Sequence, residues 1–203
     1  MRPLLSIAGA TSLLSLATLA LAGTDTASFY NGGGGANTFA QATGWRFIAL
    51  TDMVVDQLGV YDFDTPGLAD SHDVGLFTTG GTLIVAGTVP AGTGASLIDG
   101  SRFINVSPEV LHAGGSYYLL ATNWSIDRFV FGVNGPVTYA TQIAWNGTID
   151  GLTNTIFSQT TGPTFGAQGN LGPNFRFIVG IPEPSGMFAL ILPLAALKRR
   201  ARP

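Results

Sequence analysis

The 203-residue chain contains no cysteine. This absence excludes a disulfide-stapled scaffold, a thiolate-ligated zinc or iron–sulfur site, and catalysis by a cysteine nucleophile. Charged residues are scarce as well, at 10% of the chain against about 25% in average proteins. With only nine Lys and Arg residues and a net charge of −3, the chain lacks the basic surface that a nucleic-acid partner requires, so we expect none.

Long helical patterns are also lacking between residues 44 and 180. Instead, short runs rich in β-branched and aromatic residues alternate with Gly, Pro, Asn and Asp, as strands joined by turns do. Many short strands spaced by roughly ten residues predict an all-β fold, specifically a jelly-roll-like antiparallel β-sandwich. The predicted strands are 45–50, 54–61, 74–78, 82–89, 102–106, 116–122, 129–133 and 175–179, with weaker candidates at 138–145 and 155–157.

Two of the predicted strands share a sequence pattern. Gly44-Trp45-Arg46-Phe47 opens the first strong run, and Asn174-Phe175-Arg176-Phe177 repeats the pattern in the last one. The match is too short to indicate an internal repeat. We interpret it as two strands in similar environments, as neighbours in one sheet would have.

The first 22 residues have the three parts of a secretory signal peptide. Arg2 supplies the positive charge, residues 4–21 are mostly apolar, and Ala20-Leu21-Ala22 provides the small residues that precede cleavage after Ala22. A second cleavage site lies after Ala27. The alternative interpretation is an uncleaved membrane anchor, which the small-residue ending disfavours.

The interval between the signal peptide and the first strong strand, residues 23–43, is small and polar. It includes four consecutive glycines at 32–35. Such a composition is typical of a flexible leader, and the alternative is a loose first strand. We therefore assign the sandwich domain to residues 44–180 and treat 181–203 as a separate segment.

The C-terminal segment has three consecutive parts. Pro182-Glu183-Pro184 comes first, a 12-residue apolar run at 186–197 follows, and Lys198-Arg199-Arg200-Ala201-Arg202 completes the pattern. A bilayer core needs about 20 helical residues, so the apolar run is short. The basic residues would stay cytoplasmic by the positive-inside rule. The pattern predicts an exported domain followed by a hydrophobic helix with a cationic stop.

This succession resembles the PEP-CTERM sorting signal of Gram-negative bacteria, with Pro182-Glu183-Pro184 as the motif. The resemblance implies export across the inner membrane by the Sec machinery and recognition by exosortase, a membrane transpeptidase-like enzyme. It implies transient anchoring in the membrane during sorting, and a final location at the cell surface or in a polysaccharide-rich biofilm matrix. Pro193 interrupts the apolar run and departs from the pattern.

A second resemblance covers roughly residues 44–122. Its elements follow one another in the order Asp52 to Tyr61, Gly67-Leu68, His72 to Leu76, Gly81-Thr82-Leu83, Thr88 to Gly92, Val106-Ser107-Pro108 and Leu111 to Tyr118. Together they resemble a β-sandwich family of unknown function found in exported bacterial proteins that often carry the same C-terminal signal. The resemblance implies a jelly-roll-like sandwich and no established activity.

Four aspartates crowd one predicted loop. Counted from Asp62 as the first position, oxygen donors fall at the spacing of a calcium-binding loop, namely Asp62, Asp64, the Leu68 carbonyl, Asp70 and Asp73. Strand-like flanks exclude an EF-hand, but a bound Ca²⁺ would relieve the repulsion among the carboxylates. The alternative is a solvated acidic loop with aspartates at turn and cap positions. We interpret His72 as a hydrogen-bonded anchor of this loop.

Trp124 and Trp145 each adjoin polar residues, and an exposed aromatic ring on a β-sandwich can stack on a sugar ring. The alternative is packing in the core or at a sheet edge. We assign no catalytic residue, because no Gly-x-Ser-x-Gly elbow is present and the adjacent Ser71-His72-Asp73 cannot be expected to form a triad. A glycoside hydrolase with paired aspartates is the enzymatic alternative.

These patterns predict an exported, exosortase-sorted protein with a structural or adhesive role at the cell surface or in the extracellular matrix. We expect it not to be an enzyme and to need no cofactor other than the proposed Ca²⁺. One alternative is a carbohydrate-binding module that binds extracellular polysaccharide and has a calcium-stabilised acidic loop. A secreted hydrolase is the least favoured hypothesis.

Overall fold

The computed structural model describes residues 24–32, 35–131, 137–151, 153–156 and 170–180. The predicted signal peptide and the C-terminal segment 181–203 lie outside these residues. Within them the regular structure is all strand, with no helix. This part of the chain accordingly has no helix long and apolar enough to cross a membrane.

Fifteen strands lie in the described part of the chain. Their bounds fall mostly where Gly, Pro, Asn, Asp or Ser interrupts a β-rich run, because these residues favour turns. In chain order the strands are β1 (Thr24–Thr26), β2 (Ser28–Tyr30), β3 (Gly35–Asn37), β4 (Thr43–Ala49), β5 (Met53–Tyr61), β6 (His72–Thr78), β7 (Leu83–Val89), β8 (Ser96–Ile98), β9 (Ser101–Leu111), β10 (Ser116–Ala121), β11 (Phe129–Phe131), β12 (Val137–Tyr139), β13 (Ile143–Asp150), β14 (Asn170–Leu171) and β15 (Pro173–Val179).

The strands form two five-stranded sheets. Sheet I has the order β1-β15-β5-β9-β8, and sheet II has the order β13-β4-β10-β6-β7. Two smaller sheets, β14-β11-β3 and β12-β2, accompany them. Neighbouring strands pair in antiparallel fashion in both large sheets, and apolar side chains from both join in one core. The prediction of an all-β antiparallel sandwich is therefore confirmed.

The two strands with the shared pattern, β4 and β15, face each other across this core. The Trp45 ring stacks on Phe175 with centroids 5.8 Å apart and planes 16° apart, and Phe47 lies 5.2 Å from Phe175. All three rings are fully buried. The expectation of similar environments was correct, but the placement in one sheet was wrong, since β4 belongs to sheet II and β15 to sheet I.

The stronger strand predictions each coincide with a described strand, although residues 132–133 of the predicted strand 129–133 lie outside the described residues. One prediction differs mainly in length. β9 continues to Leu111, five residues beyond the predicted end. The weaker candidate at 138–145 is divided between β12 and β13, and 155–156 is not a strand. Ile156 is nevertheless buried, in a small apolar cluster with Phe77 and Tyr118 that a search for strands could not reveal.

Residues 24–32 and 35–43 contribute strands β1, β2, β3 and the start of β4, in contrast to the flexible leader that composition suggested. The alternative of a first strand is the better description, because β1 pairs with β15 at the edge of sheet I. In that pairing Thr24 lies opposite Ile178. At the other end of β15, Pro173 lies opposite Val60, so the loop after β5 is at the far end of the sandwich from residues 24 and 178.

Gly44 marks the closest approach of two strands in sheet II. A Cβ atom at this position would lie 1.7 Å from the Leu119 carbonyl oxygen in β10. Backbone cannot yield that far without breaking the pairing of the two strands. Only glycine therefore fits here.

We predict that Gly44→Ala destabilises the fold by about 3 kcal/mol, at the upper end of ordinary overpacking costs. Urea unfolding measures this change. Gly94→Ala is the matched control, because a Cβ there meets nothing within 4 Å, and it should change stability by less than about 0.5 kcal/mol. Equal stability of the two variants would contradict the close approach.

Asp150 at the end of β13 is partly buried and accepts a 2.6 Å hydrogen bond from the Thr43 hydroxyl in β4. Burial raises the pKa of the Asp150 carboxyl, and the Thr43 hydrogen bond opposes this rise. A raised pKa means that the folded state holds the proton more tightly than the unfolded state. The resulting stabilisation is present below the unfolded pKa and is lost as the pH rises through the folded pKa.

We therefore predict that Asp150→Asn raises the thermal midpoint at pH 7, where it removes a poorly solvated charge and keeps an acceptor for Thr43. At pH 3, where the carboxyl is largely protonated, the same change should have little effect. Asp25→Asn on the exposed β1 position is the control and should leave both midpoints unchanged. A lower midpoint for Asp150→Asn at pH 7 would contradict the prediction.

Candidate functional site

Asp62, the first predicted calcium ligand, is buried and already paired with a cation of the protein. It follows β5 directly, and Arg102 lies on the adjacent strand β9, opposite Val60. The Arg102 Nε donates to an Asp62 carboxylate oxygen at 2.7 Å, and both side chains are at most 5% exposed. The guanidinium also donates to the carbonyl of Ala95 at 3.1 Å. Burial of this carboxylate is thus compensated by the Arg102 guanidinium.

The other four predicted ligands have different surroundings from Asp62 and from one another. Asp64 is exposed, the Leu68 carbonyl accepts the Gly92 N–H at 2.7 Å, and Asp73 on β6 accepts the Thr88 hydroxyl at 2.7 Å. Asp70 lies beyond Leu68, where its backbone N–H donates to Asp127. No group of three His, Asp or Glu side chains suited to a metal ion occurs in the described residues. The structure therefore does not bring the five ligands together.

Asp127 organises the end of this loop, a role that its position in the sequence did not reveal. One carboxylate oxygen accepts the Ala69 N–H at 2.8 Å. The other accepts the Asp70 N–H at 2.9 Å and lies 3.0 Å from Nε2 of His72. The three contacts fix residues 69–72 to the segment that precedes β11. The only sequence signal for the role of Asp127 was the scarcity of charged residues. A carboxylate that is rare in the chain is more often needed for a specific structural contact.

His72 is the hydrogen-bonded anchor that we expected. Its ring is fully buried at the start of β6, with Nδ1 lying 2.5 Å from the Thr122 carbonyl and Nε2 facing Asp127. Both ring nitrogens therefore lie within hydrogen-bond distance of oxygen atoms. The Trp124 ring packs on the imidazole with centroids 4.7 Å apart. His72 thereby joins strand β6 to the loop that connects β10 to β11.

The burial of Trp124 disfavours the sugar-stacking role and favours the alternative of core packing. Its side chain is fully buried, its indole N–H donates to the Ala121 carbonyl at 2.8 Å, and its ring packs edge-on against Phe129. Trp145 on β13 is half-buried and stacks against Tyr139 with centroids 6.2 Å apart, next to the main core. The polar neighbours of both tryptophans are therefore compatible with packing, which was the alternative.

A cleft of about 280 Å³ opens where the loop after β5 meets the segment before β11. Its lining includes Tyr61, Phe63, Asp64, Ile126 and Arg128. The Tyr61 and Phe63 rings meet edge to face with centroids 6.3 Å apart, and the Arg128 guanidinium lies 6.0 Å from the centroid of Phe63. Aromatic surface, a carboxylate and a guanidinium thus converge on one concave surface, which is the usual composition of a small-ligand site.

The Tyr61 hydroxyl in this cleft remains protonated over the physiological pH range. Burial raises the pKa of Tyr61, and the neighbouring Tyr30, Asp64 and Asp62 raise it further. The group therefore presents a neutral hydroxyl that can donate or accept a hydrogen bond. It is not a base at neutral pH.

No protein-family model matches the sequence, and no curated protein matches it. Among solved structures, the crystal structure of the infectious bursal disease virus VP2 subviral particle is similar at 17% sequence identity and a TM-score of 0.21. The match covers 88% of this chain and 47% of that chain, so the present chain spans about half the length of the viral one. A likeness at this TM-score carries no argument about function.

We predict that Arg102→Met destabilises the protein by about 3–5 kcal/mol, because it leaves the Asp62 carboxylate buried without its cation. The double variant Asp62→Asn/Arg102→Met should recover much of the loss, since it removes the uncompensated charge. Urea unfolding at pH 7 measures both effects. Arg128→Met is the control, because this exposed side chain makes no ion pair with any described residue and should be nearly neutral for stability. A double variant as unstable as Arg102→Met would refute the ion-pair explanation.

Proposed function

We propose that this chain is an exported protein of a Gram-negative bacterium, sorted by exosortase and acting in a structural or adhesive role at the cell surface or in the extracellular matrix. The observation that carries the proposal is the succession of Pro182-Glu183-Pro184, the apolar run at 186–197 and the basic residues that follow it. The signal peptide at 1–22 supports it independently. These segments lie outside the described residues, so this support comes from the sequence.

The lengths and charges of the C-terminal segment suit a temporary membrane anchor. Twelve helical residues span about 18 Å at 1.5 Å per residue, which is well short of a 30 Å hydrocarbon core. Pro182-Glu183-Pro184 would then lie at the outer surface of the membrane, where a membrane-bound transpeptidase-like enzyme can reach it.

We further propose a jelly-roll-like topology for the exported sandwich. The support is the way in which the chain alternates between the sheets: β4 lies in sheet II, β5 in sheet I, β6 and β7 in sheet II, β8 and β9 in sheet I, and β10 in sheet II. Such repeated crossing between two antiparallel sheets is typical of Greek-key and jelly-roll sandwiches. It leaves loops at both ends of the sandwich available for contact with other molecules.

The composition of residues 23–180 suits contact with uncharged polar material. Four arginines, no lysine and eleven acidic residues give this region a charge of −7, and its uncharged polar residues are mostly Thr, Asn and Ser. Such a surface hydrogen-bonds to uncharged polar material and does not attract anionic polymers. This supports a structural or adhesive role in a matrix.

The carbohydrate-binding alternative is less well supported in the form that the sequence suggested. Its proposed platform Trp124 is buried, and its proposed calcium ligands have protein partners or stand apart. The observation that keeps carbohydrate binding as the second candidate is the cleft beside Phe63. A secreted hydrolase, with paired aspartates as its catalytic groups, remains the least favoured hypothesis.

Deletion of residues 182–203 should abolish sorting, because it removes the motif and the anchor together. We expect the truncated protein to be exported and released, while the full chain is retained or processed at the surface. Cell fractionation and the electrophoretic mobility of the mature protein measure this difference. An unchanged location of the truncated protein would refute the proposed sorting.

A finer test compares two neighbouring positions. Glu183→Ala alters the triplet and should block processing, whereas Ser185→Ala changes a residue just outside it and should not. Both variants keep the apolar run and the basic end. Equal processing of the two would show that the triplet has no recognition role.

A further inference from the structure

We propose that the cleft between the loop after β5 and the segment before β11 binds one sugar ring of a neutral polysaccharide, with Phe63 as its stacking platform. The inference rests on the adhesive role proposed above and names its ligand class and its site. The site is distinct from the tryptophans that the sequence suggested, because it combines residues 61–67 with residues 126–128.

Both walls of the cleft are fixed before any ligand arrives. On one wall the Asp62 carboxylate accepts the Gly67 N–H at 3.1 Å and is held by Arg102 at 2.7 Å. Gly67 adopts a positive φ of 106°, a conformation that glycine reaches without strain. On the other wall Asp127 is held by His72 and by two backbone N–H groups. A site whose walls are already ordered loses little conformational entropy when it binds.

The aromatic surface is placed for contact with a ligand. Phe63 is half-buried, with Tyr61 supporting its edge, and Ile126 on the same lining is 64% exposed. The face of an aromatic ring carries partial negative charge, and the axial C–H groups of a pyranose ring carry partial positive charge. Because the Arg128 guanidinium lies over the Phe63 ring at 6.0 Å from its centroid, we expect a sugar ring to stack on the opposite face of Phe63.

The charges of the cleft favour an uncharged ligand. Asp62 is neutralised by Arg102, and Asp127 is bound to His72, so these two carboxylates are engaged. Asp64 and Arg128 are exposed and form no ion pair among the described residues. Asp64 therefore offers the cleft a hydrogen-bond acceptor and Arg128 offers a donor, and their charges are opposite. This combination suits the hydroxyl groups of a neutral sugar. An anionic sugar would gain from Arg128 but would be repelled by Asp64.

The size of the cleft limits what it can hold. A volume of about 280 Å³ corresponds to roughly nine water molecules at ~30 Å³ each. This is room for one sugar ring with some solvent, and it is just below the usual range of about 300–1,000 Å³ for small-molecule sites. Because the cleft lies at a surface where loops meet, the rest of a polysaccharide chain can continue into solvent on either side of the bound ring.

The test measures binding of the full chain, purified in mild detergent, to neutral glucan and mannan, with anionic alginate and cationic chitosan for comparison. Affinity electrophoresis in gels that contain each polysaccharide gives the dissociation constants. We expect retardation by at least one neutral polysaccharide and at least tenfold weaker binding by Phe63→Ala. Arg128→Ala should weaken binding several-fold, and Phe63→Tyr should preserve it because the platform is kept.

Leu50→Ala is the matched control for loss of an exposed apolar side chain, since Leu50 is 52% exposed and precedes β5, at the other end of the sandwich. It should bind as the unchanged protein does, and the thermal midpoint of each variant verifies folding. Four results would overturn the inference. They are unchanged binding by Phe63→Ala, binding to alginate or chitosan alone, absence of binding to every polysaccharide, and cleavage of the polysaccharide. None of these results would affect the sorting test, which fails or succeeds on the location of the truncated protein.

Discussion

The aromatic side chains of β4 pack against those of β15, and this contact holds the two sheets together. Trp45 and Phe47 on one side and Phe175 and Phe177 on the other are fully buried. Full burial of a Phe ring contributes about 1.5–3 kcal/mol relative to leaving it exposed. The Trp45 indole N–H also donates to the Pro173 carbonyl at 2.8 Å, which adds a directional link between the sheets. The two sheets therefore take their relative position from this contact.

A cysteine-free sandwich must fix its loops by other means, and here long-range polar pairs do so. Arg102 reaches Asp62 across 40 residues of sequence, and Asp127 reaches His72 across 55. Asn174, fully buried in β15, accepts the Ser28 hydroxyl at 2.9 Å and donates to the Ser101 hydroxyl at 3.1 Å. Each contact satisfies a buried polar group and joins segments far apart in the chain. The walls of the cleft are built in this way.

Much of the fold could be predicted from the sequence, because strand periodicity and turn residues are local signals. The partners of a strand are not local, so the shared pattern around Trp45 and Phe175 indicated similar surroundings without showing that the strands face each other. The spacing of the aspartates after Asp62 is also a local signal, and it could not show which side chains from other strands lie nearby. It matched calcium ligands, but the nearest compensating charge was Arg102 on another strand. For Trp124, polar neighbours in sequence concealed a side chain that turns inward.

The antiparallel pairing of β15 with β1 and β5 has a mechanical consequence. Residues 24 and 178 lie together at one end of the sandwich, and the loop after β5 lies at the other. A pull between an attachment beyond residue 180 and a molecule held at that loop would act along β15 and β5 in opposite directions. The seven residue pairs that connect these strands would then bear the load together in shear, rather than separating one by one as in an unzipped hairpin. The sandwich is thus oriented to resist extension along its length.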